Sequence, residues 1–390
     1  MFKRLAPLLL ILLLSCNQKK DKSLVKVEVD KFTSEQSFED FASETSFLKL
    51  ESTEGILIAE VTKLFISDSL IFIFDKRQSK VFSFDMEGSF RFLIDQPSEE
   101  NGIKFEYIRD IFYDKQTKLL HVVDQNANKI YAFNQSGTLE KTVSPSVRAS
   151  SIYRTNSGNW AINNAWAGSP DYPKKIYLLD SSFSKTLNSG GNELPFGNIT
   201  VPNPFISFNN TTRFIHGFDT KVYSVYNDEI TTSYTIDFGK YNVTNELLSQ
   251  PRKLLMSRFL KGEYAGIITN YVENKKVIAF AYTKGTSIAE QKRSRYFVYD
   301  KKKNAPLYHF RNLHSESQNI PIAYPSFNLK NQFVSVIDYY GLHPSTGTQP
   351  KGIGQLSSQF GWFNSWQEVK AITKESDSPI LVFYEIKANP

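Results

Sequence analysis

The chain alternates short hydrophobic runs with polar turns along most of its length, and two such stretches repeat each other. "LIFIFDKRQSKVFSFDMEGSFRFLI" begins at Leu70 and "LLHVVDQNANKIYAFNQSGTLEKTV" begins at Leu119, so that an offset of 49 residues aligns them. Each stretch has the pattern of a strand, a polar turn, a strand, a glycine turn and a strand. A further strand precedes each copy, from Val61 and from Tyr107. The pattern therefore predicts two successive four-stranded antiparallel sheets.

Fainter copies of this pattern continue towards the C-terminus, at 159–180, 212–230, 275–310 and 331–387. Four antiparallel strands that recur every 40 to 50 residues or so, roughly one blade length, are typical of β-propellers. The last copy has only three strands, so we expect "SFLKLE" at 46–51 to supply its outer strand and to remove an exposed sheet edge. The predicted fold is an all-β, six-bladed β-propeller of four-stranded antiparallel blades, with its ring closed by an N-terminal strand.

Two stretches break the blade rhythm and predict short helical insertions. In 242–262, Thr244 is the expected N-cap and Pro251 the expected break, whereas 352–375 predicts a helix from Ser365. Both insertions are expected on one rim of the ring, either as packing elements or as walls of a binding mouth. Three large apolar side chains that are costly to leave in water support the second alternative: Trp362, Phe363 and Trp366.

The N-terminus has the pattern of a lipid-modified envelope protein. "MFKRLAPLLLILLLSC" combines a basic start with an apolar run that is too short for a bilayer core of roughly 30 Å, and a small residue precedes Cys16. "LLSC" resembles the bacterial lipobox, whose cysteine is acylated after signal cleavage, with palmitate among the attached chains. We expect a signal peptide at 1–15, a lipid-anchored tether and N-terminal segment at 16–45, and the propeller at 46–390.

Composition and charge restrict the partners further. The chain has 390 residues, of which 41% are hydrophobic, so a globular protein is expected. Its net charge of +6 is scattered along the chain, which argues against a nucleic-acid partner. Asn17 follows the cysteine, where an aspartate would resemble an inner-membrane retention signal. We therefore expect an outer-membrane lipoprotein that contacts the bilayer through acylated Cys16, facing either the periplasm or the outside.

The mature chain resembles the six-bladed β-propeller lipoproteins of Bacteroidetes, an NHL-like family of mostly unassigned function. The resemblance rests on "FLKLES" at 47–52, on "IAEVTKLFISDSLIFIFD" at 58–75, on "KVFSFDMEGSF" at 80–90 and on "ESDSPILVFYEIK" at 375–387. The chain departs from the family between the first two blades, where "DQPSEENGIKFEY" replaces a Gly-Pro-Gly-Glu-like connection. The resemblance implies the propeller fold and an envelope location.

Motifs for catalysis, metals and cofactors are missing from the sequence. HExxH, P-loop, GxSxG and calcium-loop patterns do not occur, and the five histidines show no ligand spacing. No catalytic residue, metal or cofactor is therefore expected. Four repeated aspartates at strand ends are expected to cap turns: Asp75, Asp85, Asp124 and Asp180.

Two function classes stay open on the sequence alone. One is a non-catalytic binding or scaffold module for a glycan, a peptide or an envelope protein. The other is a propeller-type hydrolase, lactonase or lyase whose site lies in the central channel.

The expected ligand site lies at one mouth of the ring. Aligning "TKLF" at 62–65 with "RDIF" at 109–112 puts Lys63 and Asp110 at equivalent positions beside the axis, with Arg109 at the entrance. These charges either pair across the channel and solvate it, or contribute to binding. Aromatic faces beside amide and guanidinium donors suit a sugar ring or an extended peptide. We expect a shallow pocket with Arg109 and at least one of Trp160 and Trp166, from the candidates Lys63, Arg109, Asp110, Trp160, Asn164, Trp166, Tyr172, His216 and Tyr324.

Overall fold

The architecture comes from a computed structural model of the chain. It describes residues 24–95, 105–164, 173–191, 201–216, 219–248, 251–284, 294–318, 320–329, 331–343, 359–374 and 377–387. Cys16, Trp166 and Tyr172 lie outside the described residues. Across these ranges, no helix has the length and hydrophobicity needed to cross a bilayer.

Six antiparallel sheets form the blades of a propeller, as predicted. The first three are β4 (Lys63–Ile66), β5 (Leu70–Asp75), β6 (Lys80–Asp85) and β7 (Phe90–Ile94); β8 (Ile108–Asp114), β9 (Leu119–Asp124), β10 (Lys129–Phe133) and β11 (Leu139–Val143); and β12 (Ala149–Arg154), β13 (Trp160–Asn164), β14 (Ile176–Leu179) and β15 (Thr186–Gly190). Blade 4 has β16 (Phe205–Phe208), β17 (Thr211–Ile215), β18 (Lys221–Tyr226) and β19 (Glu229–Asp237).

Blades 5 and 6 complete the ring. Blade 5 has β20 (Ala265–Glu273), β21 (Val277–Lys284), β22 (Ser294–Asp300) and β23 (Ala305–Ser315), with β24 (Ile320–Ile322) added beside β23. Blade 6 has β25 (Phe327–Leu329), β26 (Gln332–Ile337) and β28 (Ile380–Ile386), and its outer strand is β3 (Ala42–Lys49). The first strands contact one another in the cyclic order β4, β8, β12, β16, β20, β25 and back to β4. These strands surround the central channel.

The N-terminal closing strand is confirmed, although it begins earlier than predicted. β3 pairs antiparallel with β28, with Phe47 opposite Val382. A short strand, β27 (Gly361–Phe363), pairs with the other edge of β3. The fourth strand of blade 6 therefore comes from the opposite end of the chain, which leaves no unpaired edge on β28.

Residues before β3 extend this closure across two more blades. β1 (Leu24–Lys26) pairs parallel with β19 of blade 4, and β2 (Thr33–Ser37) pairs parallel with β23 of blade 5. α1 (Phe38–Phe41) follows and buries both of its phenylalanines. The sequence did not predict these two edge strands, because parallel pairing at a blade's outer edge leaves no periodic signal in three to five residues.

Repeated aspartates hold the turns as predicted. Asp75 is fully buried, and its carboxylate accepts hydrogen bonds from the backbone N–H groups of Ala59 at 2.6 Å and Gln78 at 3.0 Å. Asp124 makes the matching bonds in blade 2. The side chains of the other two accept backbone N–H groups of the turns that follow them. The turn-capping role is thereby confirmed for Asp75, Asp85, Asp124 and Asp180.

The two ends of the ring differ in the length of their connections. First and second strands are joined by short turns, at 67–69, 115–118, 155–159, 209–210 and 274–276. The opposite end carries the long insertions, among them α2 (Asn245–Leu248) and α3 (Arg252–Leu260), which Pro251 separates as predicted. We call the end that carries the turns between first and second strands the short-turn end.

The C-terminal insertion adds two helices, α4 (Tyr339–Leu342) and α5 (Trp366–Ile372). α5 begins as predicted, because the Ser365 side chain accepts a hydrogen bond from the backbone N–H of Glu368. Trp366 is buried against Phe47 with ring centroids 4.4 Å apart, whereas Trp362 is 45% exposed and donates its indole N–H to the carbonyl of Met86. Trp366 therefore packs blade 6 and does not wall a binding mouth.

Candidate functional site

A buried ion pair joins the first strands of blades 1 and 2 beside the central channel. Lys63 on β4 donates a hydrogen bond to Asp110 on β8, with Nζ and Oδ1 2.6 Å apart and both residues 3% exposed. Burial raises the pKa of the Asp110 carboxyl above its ordinary value, and the nearby ammonium group opposes that rise. The two charges therefore pair with each other, as one alternative predicted, but between neighbouring strands and not across the channel.

Two cavities lie near this pair. Thr62 and Arg109, each one residue before a member of the pair, line a small cavity of about 110 Å³. Lys63 itself and Phe112 line a cavity of about 600 Å³ that extends to the short-turn end. The second volume lies within the range of known small-molecule sites, roughly 300 to 1,000 Å³. We call it the channel cavity.

Aromatic side chains form the inner wall of the channel cavity. Phe65, Phe112, Tyr153 and Phe205 come from the first strands of four consecutive blades. Their neighbouring ring centroids are 5.5, 4.7 and 6.0 Å apart. Burial raises the pKa of Tyr153 to about 12, so its hydroxyl stays neutral. Phe65 and Tyr153 are half-buried, whereas Phe112 and Phe205 are 4% and 3% exposed, so a ligand would contact mainly the first two rings. We call these four residues the aromatic belt.

Carboxamide side chains surround the outer part of the channel cavity. Blades 2 to 6 each place at least one amide there from the turn between their first and second strands: Gln116, Asn156, Asn209, Asn210, Asn274 and Asn331. Several of them also stabilise the turns, since Asn209 and Asn210 have φ values of 47° and 59° and Asn274 accepts backbone N–H groups. We call this set the amide rim.

Two carboxylates are among the described residues that line the channel cavity, and both have structural partners. Glu273 is fully buried and accepts hydrogen bonds from Arg213 and Lys301, each at 2.8 Å. Asp114 accepts hydrogen bonds from the backbone N–H of Gln116 and from the hydroxyl of a neighbouring threonine. Because both carboxylates are held by these partners, neither is free to act as a general acid or base. Among the described residues no three histidine, cysteine or acidic side chains come together as a metal site.

Arg109 lines the small cavity, towards the end of the channel opposite the short-turn end. It shares the small cavity with Ser150, Ser151 and Asn163, and the last of these is 5% exposed. Trp160, which we expected beside it, is 2% exposed and stacks on Phe183 with centroids 4.5 Å apart. Its indole N–H donates to a backbone carbonyl, that of Ser181, so Trp160 packs the core and lines neither cavity.

The other described candidates are structural in their contacts. Asn164 is 1% exposed and donates its side-chain amide to the Lys174 carbonyl. His216 is buried, and desolvation lowers its pKa to about 3, so it is neutral at physiological pH. Tyr324 donates its hydroxyl to backbone carbonyls of blade 5 and stacks on Tyr296 at 4.9 Å. The structure therefore does not bring these side chains together with Arg109 in one pocket.

Sequence reasoning missed the aromatic belt, the amide rim and Arg154, which lines the channel cavity at the end of β12. A signal was available in the blade alignment, because Phe65 and Phe112 end the aligned tetrapeptides "TKLF" and "RDIF". The turn that follows each first strand also contains an amide residue in every blade except the first. This second pattern was not recognised because Asn is common in turns for structural reasons alone.

The fold defines the chain as a six-bladed β-propeller with a polar, aromatic-walled cavity in its channel. The chain belongs to the family described as "Domain of unknown function (DUF4934)", whose model matches residues 24–385. No curated protein matches it.

Solved structures share the fold at low sequence identity. A Bacteroides fragilis protein regarded as exported is similar with a TM-score of 0.73 and 18% identity, over 94% of this chain and 99% of that chain. A DUF4221-family member from Bacteroides vulgatus has a TM-score of 0.47 and 8% identity, over 89% of this chain and 97% of that chain. BamB from Moraxella catarrhalis has a TM-score of 0.44 and 10% identity, over 87% and 99%. These similarities concern the fold alone.

Proposed function

We propose that this protein is a lipid-anchored module of the outer membrane that binds a glycan in its channel cavity and catalyses no reaction on it. The observation that carries the proposal is the combination, in one cavity of about 600 Å³, of the aromatic belt with the amide rim. Sugar rings pack on aromatic faces, and carboxamides both donate to and accept from hydroxyl groups. A glycan end entering from the short-turn end would meet the amides first and the aromatic rings next.

The binding role is preferred over the enzymatic alternative because of the cavity's carboxylates. Glycoside hydrolysis uses a pair of carboxyl groups on either side of the scissile bond. Glu273 instead neutralises Arg213 and Lys301, and Asp114 fixes the turn after β8. The described lining supplies polar recognition groups and apolar surface, which is the chemistry of a binding site.

Anchoring through Cys16 is the second part of the proposal. The lipobox-like "LLSC" supports it, as does the similar Bacteroides fragilis protein that is regarded as exported. Two or more acyl chains give stable attachment, since each buried CH₂ contributes about 0.8 kcal/mol. Cys16→Ala should abolish incorporation of labelled palmitate and release the protein from washed membranes. If the wild-type protein incorporates no label and also washes off, the anchor is disproved.

Filling the channel cavity tests the glycan site directly. Ser207 is exposed and lines the cavity, so Ser207→Trp should place an indole inside it. Ser189→Trp, on the exposed outer strand β15, adds the same side chain elsewhere and serves as the matched control. Binding to an array of bacterial envelope glycans and peptides should be present for the wild type and Ser189→Trp and lost for Ser207→Trp. Glycan binding that survives in folded Ser207→Trp would refute the proposed location, and binding to peptides alone would refute the ligand class.

A further inference from the structure

Arg154 lies at the wall of the channel cavity with its hydrogen-bonding capacity unused. Its side chain is 19% exposed, and its guanidinium carbon lies 4.7 Å from the ring centroid of Trp160. Nε is buried without a hydrogen-bond partner. Among the described residues, the Arg154 side chain donates no hydrogen bond, although a guanidinium carries five N–H donors. Stacking on Trp160 therefore fixes the position of the group while its donors stay available.

Arg213 shows how the same fold treats an arginine with a structural role. Its Nε donates to Glu273 at 2.8 Å, and its Nη1 donates to Ser233 at 2.8 Å and to Ser224. Arg213 is thus committed to a carboxylate and to two hydroxyl groups on neighbouring strands. Arg154 has no comparable set of partners: it stacks on Trp160 and lies 4.0 Å from Asp114, and neither contact uses its hydrogen-bond donors.

Asp114 is the acidic group nearest to Arg154, and it does not occupy the arginine's donors. Its Oδ2 lies 4.0 Å from Nε of Arg154, which is beyond hydrogen-bond distance. Both of its oxygens have other partners, the backbone N–H of Gln116 at 3.0 Å and the hydroxyl of Thr117 at 2.8 Å. Asp114 therefore orients the guanidinium without saturating it.

Beyond Asp114, the charged groups that line the channel cavity favour an anion beside Arg154. Lys115 and Lys275, both exposed, also line the channel cavity. The carboxylate of Glu273 is neutralised by two cations of its own, as described above. Asn203 adds a second unsatisfied group to the wall, a buried Oδ1 that can accept a hydrogen bond from a hydroxyl.

We propose that Arg154 binds the carboxylate of an acidic sugar, a uronic acid, within the glycan held by the channel cavity. This inference rests on the proposed glycan-binding function and specifies its ligand class. The planar fork of a guanidinium matches the two oxygens of a carboxylate, and charge-assisted bonds of this type are shorter and stronger than neutral ones. The belt residue Tyr153 lines the same cavity as Arg154, so one ligand within it could contact both side chains.

Calorimetry with three matched probes tests this assignment on the full chain. The probes are galacturonate and glucuronate oligosaccharides, their methyl esters, and the corresponding neutral galactose and glucose oligosaccharides. The wild type should bind an acidic form about ten-fold or more tightly than its methyl ester, because esterification removes the charge that the guanidinium recognises. Arg154→Gln should remove this preference, whereas Lys141→Gln, which deletes an exposed positive charge on β11, should preserve it.

The possible results separate this inference from the proposed function. Esters or neutral oligosaccharides that bind the wild type as tightly as the acids would overturn the carboxylate site and leave glycan binding standing. An acid preference that survives in folded Arg154→Gln would place the carboxylate elsewhere and overturn the role of Arg154. If no probe of any of the three kinds binds, the glycan function fails and the inference fails with it. Arg154→Lys keeps the charge and loses the fork, so an intermediate preference is expected.

Discussion

Nζ of Lys63 lies 2.6 Å from Oδ1 of Asp110, and this buried pair links the neighbouring first strands of blades 1 and 2. The two residues occupy equivalent positions on β4 and β8, so a lysine in one blade meets an aspartate in the next. Thr62 and Arg109, which precede the two members of the pair, line the small cavity, whereas Lys63 itself lines the channel cavity.

Removing one partner of this pair should destabilise the propeller. Lys63→Met leaves the carboxylate of Asp110 buried without its cation, which is expected to reduce the free energy of unfolding by about 3–5 kcal/mol. The double variant Lys63→Met with Asp110→Leu replaces both charges by apolar groups and should recover most of that loss. Urea denaturation measures all three proteins. A single variant as stable as the wild type, or no more damaged than the double variant, would contradict the buried-pair account.

Buried histidines should make the protein less stable in mild acid. Desolvation lowers the pKa of His216 to about 3, and burial lowers that of His121 to about 4, both from 6.5. Below pH 6.5 the unfolded chain therefore binds protons that the folded chain does not, so the free energy of unfolding falls as the pH falls. At about 1.36 kcal/mol per pKa unit, each of these histidines contributes a loss of about 2 kcal/mol between pH 6.5 and 5.

Replacing His216 isolates its share of this effect. His216→Leu cannot bind a proton, so its free energy of unfolding should fall by about 2 kcal/mol less than that of the wild type between pH 6.5 and 5. Urea midpoints at the two pH values give the comparison. Equal losses in both proteins would show that His216 is protonated as readily in the folded state as in the unfolded state.

The N-terminal segment should contribute strongly to stability through Phe41. This side chain is fully buried and makes edge contacts with Tyr308 and Phe310 of blade 5, with centroids 5.1 and 5.4 Å away, and a tilted contact with Tyr384 of blade 6. Phe41→Ala should therefore cost about 3–5 kcal/mol in unfolding free energy. Leu187→Ala, at a site that is 41% exposed, should change it by less than about 0.5 kcal/mol. Similar urea midpoints for both variants would mean that the segment does not hold these blades together.

Gly88, one of the two aligned turn glycines, should be harder to replace than an unhindered glycine of the same conformation. Gly88 has φ of 88°, and a Cβ there would lie 2.9 Å from the carbonyl oxygen of Lys49 on the neighbouring blade. Gly55 has φ of 89° with open space around it. Both substitutions put a residue with a Cβ in the left-handed region, which should lower the free energy of unfolding by about 1–2 kcal/mol. Gly88→Ala should lower it by about 1 kcal/mol more, because its Cβ also clashes with the Lys49 carbonyl. Thermal and urea unfolding of the two variants test this prediction. A Gly55→Ala variant that is less stable than Gly88→Ala would contradict it.

The blade repeat made the propeller predictable because its strands and turns are encoded locally. Asp75 and Asp124 mark the same turn in successive blades, and the three-stranded last copy required a partner from elsewhere in the chain. Pro251 and Ser365 likewise act on residues next to them in sequence, so the helix break and the helix start were predictable.

The candidate site was less predictable because it depends on contacts between blades. Trp160 looked like a ligand-binding aromatic, but the β12–β13 hairpin turns it towards Phe183 in the core. Arg154 stands out only when its unused donors are compared with the saturated donors of Arg213. Such satisfaction of hydrogen bonds depends on the assembled ring and has no signature in the linear sequence.

Amide hydrogen exchange with a bound envelope glycan tests the central claim most directly, because it reports which end of the channel holds the ligand. Binding should slow exchange at the turns 115–118, 155–159, 209–210 and 274–276, which border the channel cavity. The turns 76–79 and 125–128 at the opposite end should exchange as in the free protein. Protection confined to the opposite end, around the Arg109 cavity, would contradict the account.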